Sequence, residues 1–192
     1  DLYAVAAGSL ILLVVIILMY LLIHEPDKIE DAKTDAPSDL KDESQEGRTT
    51  SLIFLLLAIL FWFISYNAIE TFFSLYSKNV LGLGKSQTSF LLAAFAGLFW
   101  LFSIPSGFIA TKIGRKRTIL IGIAVLTATF VLLIFVRETV PLYVLMVIGG
   151  IAWALININS YPMVVEMTSN RCVGKYMGYY YFFSMLAAII SP

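Results

Sequence analysis

PSGFIATKIGRKRTIL, residues 105–120, separates two long apolar runs and carries four cations, Lys112, Arg115, Lys116 and Arg117. A loop this short has no need of such charge unless it must stay on one side of a membrane. Loops rich in Lys and Arg are retained in the cytoplasm, so this segment sets the orientation of everything around it. Gly107 and Gly114 are expected to let two helix ends approach closely and the chain reverse within a few residues. Two readings are open at this point: a positive-inside hairpin and nothing more, or a loop with a role of its own.

The rest of the composition agrees with a membrane. The chain is 59% hydrophobic and 14% charged, with a mean hydropathy of +0.87, whereas a soluble domain carries about 25% charged residues. The charges are also clustered: nine of the thirteen acids lie between His24 and Thr50, leaving Asp1, Glu70, Glu138 and Glu166 for everything else. A net charge of zero therefore averages an acidic loop with basic membrane-flanking ones and says nothing about partners. The single cysteine, Cys172, excludes an internal disulfide and a cysteine cluster for metal. No basic region precedes the first apolar run and no small-residue cleavage site follows it, so it does not read as a signal peptide.

Outward from the basic loop, the apolar runs predict six spans, at residues 2–23, 51–76, 88–110, 119–136, 140–165 and from 177 onward. The first is 22 residues long, enough for a hydrocarbon core about 30 Å thick. Because the chain starts without Met and already inside an apolar run, it reads as a piece whose upstream part is absent. Residues 25–50 are acidic, lack aromatic residues and have no apolar periodicity, so they read as a flexible cytoplasmic linker unable to fold alone, with a short surface helix or a partner site as the alternatives. Gly82 and Gly84 predict an outer turn. The run 119–136 is nearly all aliphatic and is expected to face lipid. Gly174 and Gly178 make a GxxxG pattern read as helix packing. With the basic loop inside, the inner loops hold six cations (Lys112, Arg115, Lys116, Arg117, Arg171, Lys175) and the outer loops three (Lys78, Lys85, Arg137), a bias that agrees with the assignment.

Glu70 is the one charged residue well inside an apolar span. A charge at the bilayer centre costs about 2.5–3.5 kcal/mol on insertion scales, and such residues normally face a water-filled cavity. Tyr66 and Asn67, four and three residues earlier, share its helix face. The bland alternative places Glu70 close enough to the outer surface to be merely solvated. In the fifth span Trp153, Asn157 and Tyr161 recur every four residues, while Asn159 points elsewhere. Asparagine amides and an aromatic face suit a polyhydroxylated ligand such as a sugar, although asparagines also serve as glue between helices. The expected substrate-binding set is therefore Tyr66, Asn67, Glu70, Trp153, Asn157 and Tyr161. Of Tyr179, Tyr180 and Tyr181, at most two can face a cavity.

One histidine, one cysteine and no HExxH or glycine-rich phosphate loop leave enzyme chemistry without support. No cofactor, metal or nucleic-acid partner is expected. A channel or a non-transporting receptor remains the rival class, but polar residues spread over at least three helices fit a carrier better than a pore lined by one or two.

Gly107, Thr111, Lys112, Gly114, Arg115 and Lys116 resemble the signature loop of the major facilitator superfamily, G-x-x-x-D-[RK]-x-G-R-[RK], which joins the second and third helices of each six-helix half. Thr111 stands where that pattern has an acid, as is more typical of the second-half copy, and so offers no charge with which to lock the loop. The resemblance implies an all-α integral membrane protein comprising helices six to eleven of a twelve-helix transporter. Residues 1–24 would then be the sixth helix, 25–50 the central cytoplasmic linker and 51–192 the C-terminal half, cut before its last helix, with the N-terminal half missing. YNAIETFFSLY and WALININSYPMVVEM resemble the glycoside and sucrose:cation symporter branch. That narrower likeness implies symport of a sugar or other small polar solute with a proton or sodium ion, by alternating access across the cell membrane.

Overall fold

The computed structural model describes residues 2–22, 42–168 and 172–191. These form six α-helices and, among the described residues, no strand: α1 (Leu2–Leu22), α2 (Asp42–Asn79), α3 (Lys85–Ile113), α4 (Arg115–Phe135), α5 (Thr139–Glu166) and α6 (Val173–Ile190). In a bilayer each backbone N–H and C=O must be satisfied inside its own segment, which leaves long apolar runs no alternative to the helix. Thr50–Asn79, α3, α4 and α5 are long and apolar enough to cross a membrane; the described side chains of α1 form a shorter apolar stretch, Gly8–Leu21. α6 has four tyrosines and Lys175 within 18 residues and does not reach that level of apolarity. The chain is an all-α, multi-pass membrane protein.

The basic loop is tighter than expected. α3 runs to Ile113 and α4 begins at Arg115, so a single residue, Gly114, makes the reversal at φ 92°, ψ 144°, a region open essentially to glycine alone. Its N–H donates to Ala110 O at 3.0 Å and its carbonyl accepts from Thr118 N at 3.1 Å, so the same residue ends one helix and starts the next. Lys112 lies in the last turn of α3, where a cation suits the helix dipole; Arg115, Lys116 and Arg117 open α4, where it does not. That local cost is a fraction of a kcal/mol, about 0.3–1, per charge. In a full-length protein with every native cysteine, Cys172 included, replaced by serine, a cysteine at position 112 or 117 is expected to react with an impermeant maleimide from the cytoplasmic side only. Labelling from the outer side alone would reverse the topology.

α5 is the spine of the bundle, packed between α3 and α4, while α1 lies against α2 and α4 and α6 lies against α2. Glycines set the closest crossings. A Cβ on Gly122 would come within 2.9 Å of Ala152 O, joining α4 to α5, and one on Gly149 within 3.0 Å of the Phe95 ring, joining α5 to α3. The close approach expected at Gly107 is absent, and a Cβ on Gly107, Gly174 or Gly178 would meet nothing within 4 Å. The GxxxG of α6 therefore packs against none of the described helices.

A second correction concerns α4. Ile119, Gly122, Ile123, Leu126, Thr127, Thr129, Phe130 and Leu133 are all buried, because α5 covers one side of the helix and α1 another. An aliphatic composition did not make it lipid-facing along its length. The linker also ends earlier than expected, since residues 42–50 are helical and continuous with α2. Its remainder, residues 25–41, and Arg171 lie outside the described residues.

Candidate functional site

Two features of α2 and α5 produce a cavity. Along α2, Phe63, Tyr66, Ile69, Glu70 and Phe73 recur at helical spacing and share one face; along α5, Met146, Trp153 and Asn157 do the same. α3 adds Leu92, Phe95, Ala96 and Phe99, α4 adds Phe130, and together they line a cavity of about 420 Å³. Seven of these thirteen lining residues are aromatic (Phe63, Tyr66, Phe73, Phe95, Phe99, Phe130 and Trp153), so the walls are apolar. The polar groups are the Glu70 carboxylate, the Tyr66 hydroxyl and the Asn157 amide, with no lysine, arginine or histidine among the lining residues. An apolar concavity with a few convergent polar groups is the usual form of a small-molecule site.

The rings are locked to one another. Tyr66 stacks on Trp153 with centroids 3.9 Å apart and planes 5° from parallel, and Phe63 meets Trp153 edge-on at 5.4 Å. Trp153 is only 3% exposed. Its role therefore differs from the one expected: the face meant for a sugar is covered by Tyr66, and Trp153 acts as the backing that fixes Tyr66 beside Glu70.

Four expected residues, Tyr66, Glu70, Trp153 and Asn157, thus line one cavity, and Asn67 and Tyr161 do not. Asn67 is rotated off the cavity face of α2 by its neighbours' register. Tyr161 instead packs edge-on against Tyr180 at 5.3 Å, and Tyr180 shares a 3.1 Å hydrogen bond with Ser160, so this group ties α5 to α6. Tyr179 and Tyr181 are exposed, and none of the three consecutive tyrosines lines the cavity.

A second polar centre stands at the end that carries the basic loop. Arg115 Nε donates to Glu166 Oε1 at 2.6 Å, and its Nη1 reaches Asn159 Oδ1 at 3.5 Å. Asn159 is fully buried and its amide donates to Leu155 O at 2.9 Å and to Ser106 O at 3.5 Å. One side chain thereby connects α3, the start of α4 and the end of α5. The loop does have a charge lock, supplied by Glu166 from another helix; Thr111 only returns a hydrogen bond to Phe108 O at 2.8 Å. Sequence reasoning missed Asn159 because it was read only against Asn157. The usable signal was that it lies two turns from Glu166 on a span facing the basic loop.

At the opposite end Tyr76 donates to Leu133 O at 2.6 Å and accepts from Arg137 at 3.1 Å, while Ser77 pairs with Thr88. Polar bonds thus pin α2, α3 and α4 at one end and α3, α4 and α5 at the basic-loop end, with the aromatic cavity between.

The family follows from comparison. The sequence model of the Major Facilitator Superfamily matches residues 2–192, and the chain belongs to that superfamily of membrane transporters. It is also similar to an uncharacterized MFS-type transporter of Schizosaccharomyces pombe (strain 972 / ATCC 24843), 34% identical over 109 residues. That match covers 56% of this chain and 24% of the relative. No solved structure matches the chain significantly.

Proposed function

We propose that the chain forms one wall of the solute pathway in a secondary active carrier that works by alternating access and couples solute movement to a cation at Glu70. In this reading it is the C-terminal part of a twelve-helix transporter, and the missing N-terminal half closes the open side of the cavity. The observation that carries the proposal is the cavity itself: a carboxylate from an otherwise apolar span beside aromatic walls contributed by α2, α3, α4 and α5. Such a group persists only where water, a cation or a ligand receives it.

For the solute, a sugar remains the expectation from sequence. Tyr66, Glu70 and Asn157 supply hydroxyl partners, but the loss of the Trp153 face and of Asn67 from the lining favours a solute with an apolar body and a single polar end. The polar bonds at the two ends of the bundle tie its helices into groups, which is what rocking of one half against the other requires.

Counterflow tests the carrier. With the full-length protein in proteoliposomes, preloading with unlabelled solute is expected to accelerate uptake of the same labelled solute, taken from a panel of sucrose, methyl β-glucoside and an aromatic ammonium ion. A channel or receptor gives no acceleration with any of them, and that result ends the carrier reading.

A further inference from the structure

We propose that the groove between α2 and α6 binds one anionic phospholipid, with its acyl chain in the groove and its phosphate on Lys175. The site lies apart from the solute pathway and does not depend on what the carrier moves.

The groove follows from where α6 is tied down. Ser191 Oγ donates to Ile64 O at 3.1 Å, which holds the end of α6 against the middle of α2. Tyr180 shares its hydrogen bond with Ser160, which draws the earlier part of α6 toward α5. Between α6 and the start of α2 a space of about 340 Å³ is left, lined by Ile53, Leu56, Leu57, Tyr179, Phe182 and Phe183. It shares no residue with the aromatic cavity. None of its side chains is charged, and Ile53, Tyr179 and Phe182 are exposed. Hydrocarbon tails, as apolar as leucine, are the natural filling of such a cleft between membrane helices.

The mouth of the groove selects the headgroup. Lys175 stands one turn before Tyr179 on α6, so both belong to one helix face. Its Nζ lies 5.8 Å from the Tyr179 ring centroid and 6.0 Å from that of Tyr176, and the two rings meet edge-on at 5.7 Å. Lys175 is exposed and, among the described residues, takes part in no ion pair. α6 begins shortly after α5 ends at Glu166, beside Arg115, which sets Lys175 level with the basic loop. Tyrosine at this level belongs to the membrane–water boundary, and a lysine there keeps its charged head in water while its stem lies on apolar surface. Phe182 and Phe183 follow about 10–12 Å further along the helix axis, the depth of an acyl chain whose headgroup sits at Lys175.

Charge then decides between lipids. Ring faces attract a choline ammonium, but those of Tyr176 and Tyr179 already have the ammonium of Lys175 beside them. A headgroup with net negative charge gives Lys175 the partner it lacks, and lysine binds phosphate as a point charge. The groove therefore favours an anionic phospholipid over a zwitterionic one.

The test uses the full-length protein with every native cysteine replaced by serine and a bimane fluorophore attached through Leu186→Cys, one turn beyond Phe182 and Phe183. It is reconstituted in phosphatidylcholine vesicles containing brominated phosphatidylglycerol or, separately, brominated phosphatidylcholine at equal mole fraction, and quenching is read. Brominated phosphatidylglycerol is expected to bind about fivefold more tightly than its choline counterpart, the effect of one cation near an anionic surface. Lys175→Gln should abolish the preference and Lys175→Arg should keep it. Lys112→Gln removes an exposed cation of the basic loop that does not line the groove, and should leave the preference unchanged. Equal quenching by the two lipids in the parent protein marks ordinary boundary lipid and overturns the proposal. Quenching by neither means that another part of the full-length chain, or a second copy, covers the groove, which also overturns it. A preference that falls equally with Lys112→Gln and Lys175→Gln belongs to the surface charge as a whole, and the site at Lys175 falls with it.

Discussion

Gly150→Val is expected to remove most of the correctly folded protein from the membrane. A Cβ at Gly150 would overlap the Phe95 carbonyl oxygen and lie 3.2 Å from Phe99 N. Both obstacles are backbone, which cannot rotate aside as a side-chain tip can. Overpacking a buried site usually costs about 1–3 kcal/mol, and a clash with the main chain of a crossing helix belongs at the top of that range. α3 and α5 must separate to relieve it, and with α3 go Phe95 and Phe99, which line the cavity. Gly97→Val is the matched control, since a Cβ there would meet nothing within 4 Å. The measurement is the recovered monodisperse fraction and the SDS-unfolding midpoint of the full-length variants. Equal values for the two would mean that α3 and α5 do not cross at Gly150.

The contrast between these glycines shows where sequence reasoning stops. The number and order of helices were legible because apolar runs of bilayer length, broken by charge, glycine or proline, admit one regular structure. The cavity face of α2 was legible for a related reason: Tyr66 and Glu70 are polar, one turn apart, and expensive anywhere but beside water or ligand. The surroundings of α4 were not legible. Lipid tails are as apolar as leucine, so an aliphatic helix reads the same whether lipid or protein covers it. Only Gly122, Thr127 and Thr129 hinted at burial. GxxxG in α6 gave the opposite error, since small residues permit close approach without causing it.

Side-chain direction was the other gap. A stripe of four-residue spacing drifts by about 40° at each step of an ideal helix of 3.6 residues per turn. Over two steps that carries Tyr161 off the cavity and onto Tyr180, while Trp153 and Asn157 stay. Trp153 lines the cavity, but a sequence cannot show that Tyr66 already covers its face. Asn159 required knowing that the ends of α3, α4 and α5 converge, which is a property of the packed bundle and of no single helix.

Glu70→Gln in the full-length protein is expected to abolish uphill accumulation of solute while leaving the protein folded. Glutamine keeps the length and the planar end of glutamate but can neither hold nor release a proton. Glu70 is exposed, so loss of its charge should leave stability unchanged. Coupling needs a group that changes its charge state as the cavity changes its exposure, and no other lining residue among those described is a carboxylate. The behaviour of energy-independent exchange then separates two roles. With a neutral solute, exchange should persist although accumulation is lost, because only the proton site is gone. With a solute that the carboxylate itself holds, exchange and accumulation should fall together, because the same oxygen atoms serve both. Reconstituted vesicles with an imposed pH gradient, and the same vesicles at equilibrium, give the two measurements. If both rates stay at the parent level for every accepted solute, Glu70 is a solvated residue at the rim, and neither coupling nor solute recognition runs through this face of α2.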